Sequence, residues 1–123
     1  MNIFEEINRL EEKYGEEFTW YYPAEKTFHI KEAYREIGEE HALWNKELTL
    51  IAACTFCDDI LFSTDDDSMP YVIIHLTYNE NQKGFPKYQA FSYCEDVIKY
   101  IEDEFVLNYL CDPKLIRERG LTI

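Results

Sequence analysis

The sequence predicts an α+β domain: a curled antiparallel β-sheet of about four to five strands, with N- and C-terminal helices packed on one face. Three observations carry the expectation. Apolar residues recur at helical spacing near the start of the chain and again after residue 92. Between those stretches lie short runs rich in β-branched and aromatic residues, separated by turn-forming sequences. The link between the last two long runs is too short for a parallel crossover. With 123 residues, 46% of them hydrophobic and 16% aromatic, the chain has the size of one domain, 1–123, and can bury a core of its own.

Each element has a local reason. Over residues 2–14, Asn2 is a candidate N-cap, with Glu5 placed as in a capping box. Ile3, Ile7, Leu10 and Tyr14 form one stripe, and Gly15 is a C-terminal stop. Glu5, Glu6, Glu11 and Glu12 occupy the opposite face. "FTWYY" (18–22) is rich in β-forming aromatics and ends at Pro23. Within 24–46, "IKEAYREIGEEHALW" reads as a helix, with Ile30, Ala33, Tyr34 and Ile37 on one side and Gly38 interrupting it. Strands follow at 47–54, 58–64 and 70–78. The polar link "STDDDSMP" makes the last two an antiparallel hairpin. "NENQKGFPKYQ" is a longer loop carrying Lys83 and Lys87, and 88–91 adds a short edge strand. Ser92 with Glu95 repeats the capping-box pattern ahead of a helix over 93–109, with Val97, Ile98, Ile101, Phe105 and Tyr109 on its stripe. "DPKLIRERG" reads as a short final helix, with Asp112 as N-cap, Pro113 at its first position and Gly120 as its stop.

Charge narrows the function classes. Twenty-five acidic residues against twelve basic ones give a net charge of −13, which opposes nucleic acid and anionic membranes and favours basic partners. The start "MNIFEEINRLEEKYGEE" lacks the basic segment and apolar run of a secretory signal. The longest run without acidic, basic or histidine residues, Leu48–Cys57, has ten residues, too few to span a bilayer as a helix. The expectation is a cytoplasmic protein with reduced thiols.

The motifs point away from catalysis. "CTFC" (54–57) has no second C-x-x-C pair, only isolated Cys94 and Cys111. Cys57 leads into a strand rather than a helix, so nothing there lowers a thiol pKa. In a straight strand, Cys54 and Cys57 point to opposite faces, and only a turn between them brings them together. "TDDDS" lacks the glycine and distal glutamate of a calcium loop. There is no glycine-rich phosphate loop and no Gly-x-Ser-x-Gly elbow. His29, His41 and His75 have no helical ligand spacing. No enzyme, metal or cofactor is expected.

His75 stands out because it falls inside the apolar strand "PYVIIHLTY". Alternation places Val72, Ile74, Leu76 and Tyr78 on the core face. Tyr71, Ile73, His75 and Thr77 take the other, a mixed face that can be half exposed and suits either loop-covered packing or partner binding.

The stretch "DDILFSTDDDSMPYVIIHLTYNENQKGFPKYQAFSYCEDVIKYI" carries an Asp-Asp-x-Leu strand (Asp58, Asp59, Leu61), a strand ending His75-Leu76-Thr77-Tyr78, a polar loop with Pro86, and a helix capped at Ser92. This arrangement, covering about a third of the chain, resembles a widespread type of small bacterial protein. In size and acidity such proteins are similar to the immunity proteins of bacterial polymorphic toxin and contact-dependent inhibition systems. The resemblance implies a non-enzymatic protein that binds a cognate toxin domain, often a basic nuclease, and blocks its active site. It carries over no catalytic residues. Acidic surfaces speed association with basic targets, and Tyr and Trp supply contact area at low entropic cost. Ten Tyr and two Trp exceed what a core of this size needs. The candidate contact residues are Tyr71, His75, Asp65, Asp66 and Asp67, with Glu5 and Glu12 as a competing patch. The alternatives are an interaction domain for another partner, and an enzyme or metal protein centred on His75 with Asp58 and Asp59 or on the cysteines.

Overall fold

Asn2 opens the first helix. In the computed structural model, which describes residues 2–79 and 84–108, its Oδ1 accepts the amides of Phe4 at 2.9 Å and Glu5 at 3.3 Å. These donors have no partner inside a helix. Helix α1 runs Ile3–Tyr14, buries Ile3, Ile7, Leu10 and Tyr14, and stops at Gly15. Gly15 has a φ of 69°, which a side chain would strain. The expected stripe is the buried one.

The described residues divide into two compact units, one of 2–19 with 94–108 and one within 20–93. The first holds α1, a 3₁₀ turn at Gly15–Glu17 and helix α3, Cys94–Asn108. Phe105 packs against Tyr14, with ring centres 4.9 Å apart, and edge-on against Phe18 at 5.3 Å. Glu102 is buried beside these rings. It accepts the Tyr14 hydroxyl at 2.5 Å and the Lys13 ammonium at 3.0 Å, which a buried carboxylate requires. Helix α3 starts at Cys94, and the Ser92 hydroxyl donates to the Ser68 carbonyl at 3.5 Å. The expected Tyr109, Lys83, Cys111 and the helix over 112–120 lie outside the described residues.

The second unit is a five-stranded antiparallel sheet in chain order: β1 Trp20–Tyr21, β2 Leu48–Cys54, β3 Asp59–Thr64, β4 Tyr71–His75 and β5 Lys87–Phe91. It is open, with β1 and β5 at its edges. The fold is α+β, and the β3–β4 hairpin pairs Ile60 with Ile74 and Phe62 with Val72 as the alternation requires. Helix α2, Thr27–Glu36, is shorter than the sequence reading. It ends before Gly38, and turns continue to residue 45. Ala33, Ile37 and Leu43 pack with Leu50, Phe62, Val72 and Ile74 to form the core of this unit. A bulge in β2 places Leu50 opposite Phe62 and Ala52 opposite Leu61. The extra residue, Ile51, shifts the alternation, so Leu48, Leu50 and Ala53 all reach the core beside α2.

Two details of β4 differ from the expectation. Ile73, placed on a half-exposed face, is buried. The strand also stops at His75 rather than Tyr78, because Glu36 intercepts the chain. This buried carboxylate accepts the Thr77 amide at 2.7 Å, the Thr77 hydroxyl at 2.8 Å and the Tyr78 amide at 2.9 Å. Tyr78 turns into the left-handed region, φ 58°, and its side chain is exposed rather than in the core.

Candidate functional site

The β3–β4 link is a constructed turn rather than a merely polar one. The Thr64 hydroxyl accepts the Asp66 amide at 3.0 Å and donates to the Met69 carbonyl at 2.7 Å. Asp66 Oδ1 accepts the Ser68 amide and hydroxyl at 2.8 and 2.6 Å, an Asx turn. Its Oδ2 accepts Lys46 Nζ at 2.6 Å. The Lys46 ammonium, followed by the Ser68 bonds, holds the Asp66 carboxyl far below the usual carboxylate range. Asp65 Oδ1 accepts the Glu47 amide at 3.0 Å. Among the described residues, neither the Asp67 side chain nor the Glu47 carboxylate has a partner, and both are exposed.

This turn lies against the segment that follows α2. His41 anchors that segment: its Nδ1 accepts the Leu43 amide at 3.0 Å and its Nε2 bonds the Pro86 carbonyl at 2.8 Å. The first contact makes Nδ1 an acceptor, so the proton sits on Nε2. The chain then turns through Trp44 and through Asn45, whose φ is 66°. The Trp44 side chain is left half-exposed, 48% accessible. A groove of about 580 Å³ is lined by Tyr34, Ile37, Leu43, Trp44, Lys46 and Asp65, with Asn45 and Glu47 completing it. It continues along Trp44 to Asp66 and Asp67. Four carboxylates and one ammonium line the combined groove, and that ammonium is already tied to Asp66.

The expected contact residues therefore separate. Asp65, Asp66 and Asp67 belong to the groove, and Tyr71 begins β4 next to the turn. His75 lies at the far end of β4, about 13 Å along the strand from Tyr71, paired across the sheet with Asp59 and Lys87. Its Nδ1 lies 2.8 Å from Asp59 Oδ1, and its side chain is 56% exposed. A carboxylate on Nδ1 orients an imidazole, but among the described residues the His75 ring bonds only Asp59. Asp58 contributes its backbone carbonyl to the Leu76 amide. Glu5 and Glu12 are exposed on α1, in the other unit.

Sequence reasoning missed Trp44 and Tyr34 as groove residues. Tyr34 was placed on the apolar stripe of α2, yet its ring is exposed and its hydroxyl accepts the Leu48 amide at 2.8 Å. The available signal was Trp44 itself, a large apolar residue directly before Asn45-Lys46-Glu47 and beyond the Gly38 interruption.

Two further features complete the surface. Phe28 stacks on Tyr78 with ring centres 6.0 Å apart, both exposed, as are Tyr21 and Tyr22. Partial desolvation, then the nearby Asp58 and Glu32 carboxylates, raises the Tyr78 pKa. Strand β2 ends at Cys54, and bends at 55–58 separate it from β3, with Cys54 buried and Cys57 half-buried, both as free thiols. Burial, then the neighbouring Cys54 thiol, pushes the Cys57 thiol far above its ordinary range, the reverse of what a nucleophilic cysteine needs. Among the described residues, no helix is long and apolar enough to cross a membrane. Comparisons of this chain with protein-family models, with curated proteins and with solved structures find no match.

Proposed function

We propose that this chain is an immunity protein: it binds a basic bacterial toxin domain in the cytoplasm and neutralises it by covering the active site. The single observation that carries the reading is the groove between Trp44 and the β3–β4 turn. There, a half-exposed indole sits among carboxylates on a frame fixed by internal hydrogen bonds. Exposed Trp and Tyr rings in a concave site are the side chains that most often dominate binding energy. Carboxylates in excess of their ammonium partners favour a basic target and repel nucleic acid. On this reading the protein acts by occupancy, so it needs no cofactor and no activated nucleophile.

The test is to search the genes next to the one encoding this chain for a toxin domain, and to co-express that domain with the chain. The expected result is restored growth and a complex that survives gel filtration. Variant W44A should lose protection while keeping the wild-type melting temperature. A toxin domain that kills cells equally with and without the chain, and that does not co-purify with it, would overturn the reading.

A further inference from the structure

We infer that the Trp44 groove is a guanidinium subsite: it receives one arginine side chain from the partner protein. The inference rests on the protein-binding reading above and names the chemistry that the site selects. Its apolar wall is Tyr34, Ile37, Leu43 and Trp44, and its charged rim is Glu47, Asp65 and Asp67. The rim stays negative because Lys46 is committed to Asp66 at 2.6 Å. One oxygen of Asp65 is anchored on the Glu47 amide at 3.0 Å, so the carboxylate is held in place before anything binds. Pre-orientation of this kind removes part of the ordering cost of association.

Arginine fits this surface better than lysine. A guanidinium is planar, so it can lie on an indole face while its edge donates to carboxylates in the same plane. It is also more weakly hydrated than an ammonium, and loses less on leaving water for a partly apolar groove. Anionic ligands are repelled by the rim, and a neutral aromatic ligand leaves the carboxylates without a counter-charge.

The experiment uses the full chain labelled with ¹⁵N and three blocked tripeptides, Gly-Arg-Gly, Gly-Lys-Gly and Gly-citrulline-Gly. The two tryptophans give separate indole N–H signals. Trp20 is 2% exposed and serves as the internal control, and W44F assigns the other signal. The arginine peptide is expected to shift the Trp44 signal saturably and leave the Trp20 signal in place. Loss of the planar contact should make the lysine peptide about threefold weaker, and citrulline, which has the shape without the charge, should produce no shift. The double variant E47Q/D67N, which removes two exposed carboxylates without touching the Asp65 and Asp66 bonds, should weaken arginine binding about fivefold.

Equal shifts from the arginine and citrulline peptides, or no shift at Trp44, would overturn the subsite. Binding that is unchanged in E47Q/D67N would do the same. The result is separable from the toxin test. Peptide binding without growth rescue refutes the immunity reading alone, and rescue without peptide binding refutes the subsite alone.

Discussion

At the residue scale, the His75–Asp59 pair joins neighbouring strands at 2.8 Å, with the imidazole largely in water. Exposed pairs of this kind contribute about 0–1 kcal/mol. His75→Ala is therefore expected to lower unfolding stability by no more than about 1 kcal/mol in urea titrations. A larger loss would mean that the imidazole supports packing. Asp66 behaves differently. Lys46, then Ser68, lowers its pKa in the folded protein, so the unfolded chain takes up a proton first as pH falls. The stabilisation is present above the unfolded carboxylate value of about 3.9 and is lost as pH falls from there toward the folded pKa. Asp66→Asn should therefore melt below wild type at pH 7, and the gap should narrow progressively in scans taken below about pH 4. At Cys57 the raised thiol pKa leaves little thiolate near neutrality, and alkylation by iodoacetamide at pH 7.5 should be slower than that of glutathione. Little of this was legible in the sequence. His75 could be assigned to a face by alternation, but its partner depends on register, and the surroundings of Cys57 depend on a bend that "CTFC" does not specify.

At the element scale, Glu36 does the work of a connector. It terminates α2 and takes three donors from residues 77 and 78, so β4 ends where the helix can reach it. Glu36→Ala leaves those part-buried donors without their acceptor and is expected to cost roughly 2 kcal/mol. Glu36→Gln retains one acceptor oxygen and should cost less; the two are compared by chemical denaturation. Elements governed by local pattern were readable. The α1 stripe, its Asn2 cap and Gly15 stop, and strands β2 to β4 follow from spacing and turn chemistry in contiguous residues. Features set by tertiary contacts were not. A glutamate at the end of a helix looks like any solvated charge until its acceptors are filled from 41 residues away. The β2 bulge is invisible because "LTLIAAC" is apolar at almost every position, so either register satisfies it. Trp44 was missed for the same reason: its exposure depends on the turn through Asn45 and on the neighbouring β3–β4 link.

At the scale of the whole molecule, the net charge of −13 acts on association more than on the fold. Raising the salt from about 0.01 M to about 0.15 M shrinks the screening length from roughly 30 to roughly 8 Å. The on-rate with a basic toxin domain should fall over that range in stopped-flow measurements. E47K/D67K should slow association several-fold with little change in melting temperature, whereas E5K/E12K on α1 should have a smaller effect. Equal, small effects would mean that the acidity serves solubility. The order of the elements along the chain has a consequence of another kind, for synthesis. Every strand of the sheet pairs with the strand next to it in the chain, so the sheet can assemble hairpin by hairpin as the polypeptide emerges. Helix α1 cannot complete its contacts in this way. Tyr14 and Glu102, which share a hydrogen bond, are 88 positions apart. Closing a loop of that length costs about 2.4 kcal/mol more than closing the six-residue link Asp65–Pro70. Helix α1 thus waits for α3, and until α3 arrives Tyr14 has neither Phe105 nor Glu102 to cover it.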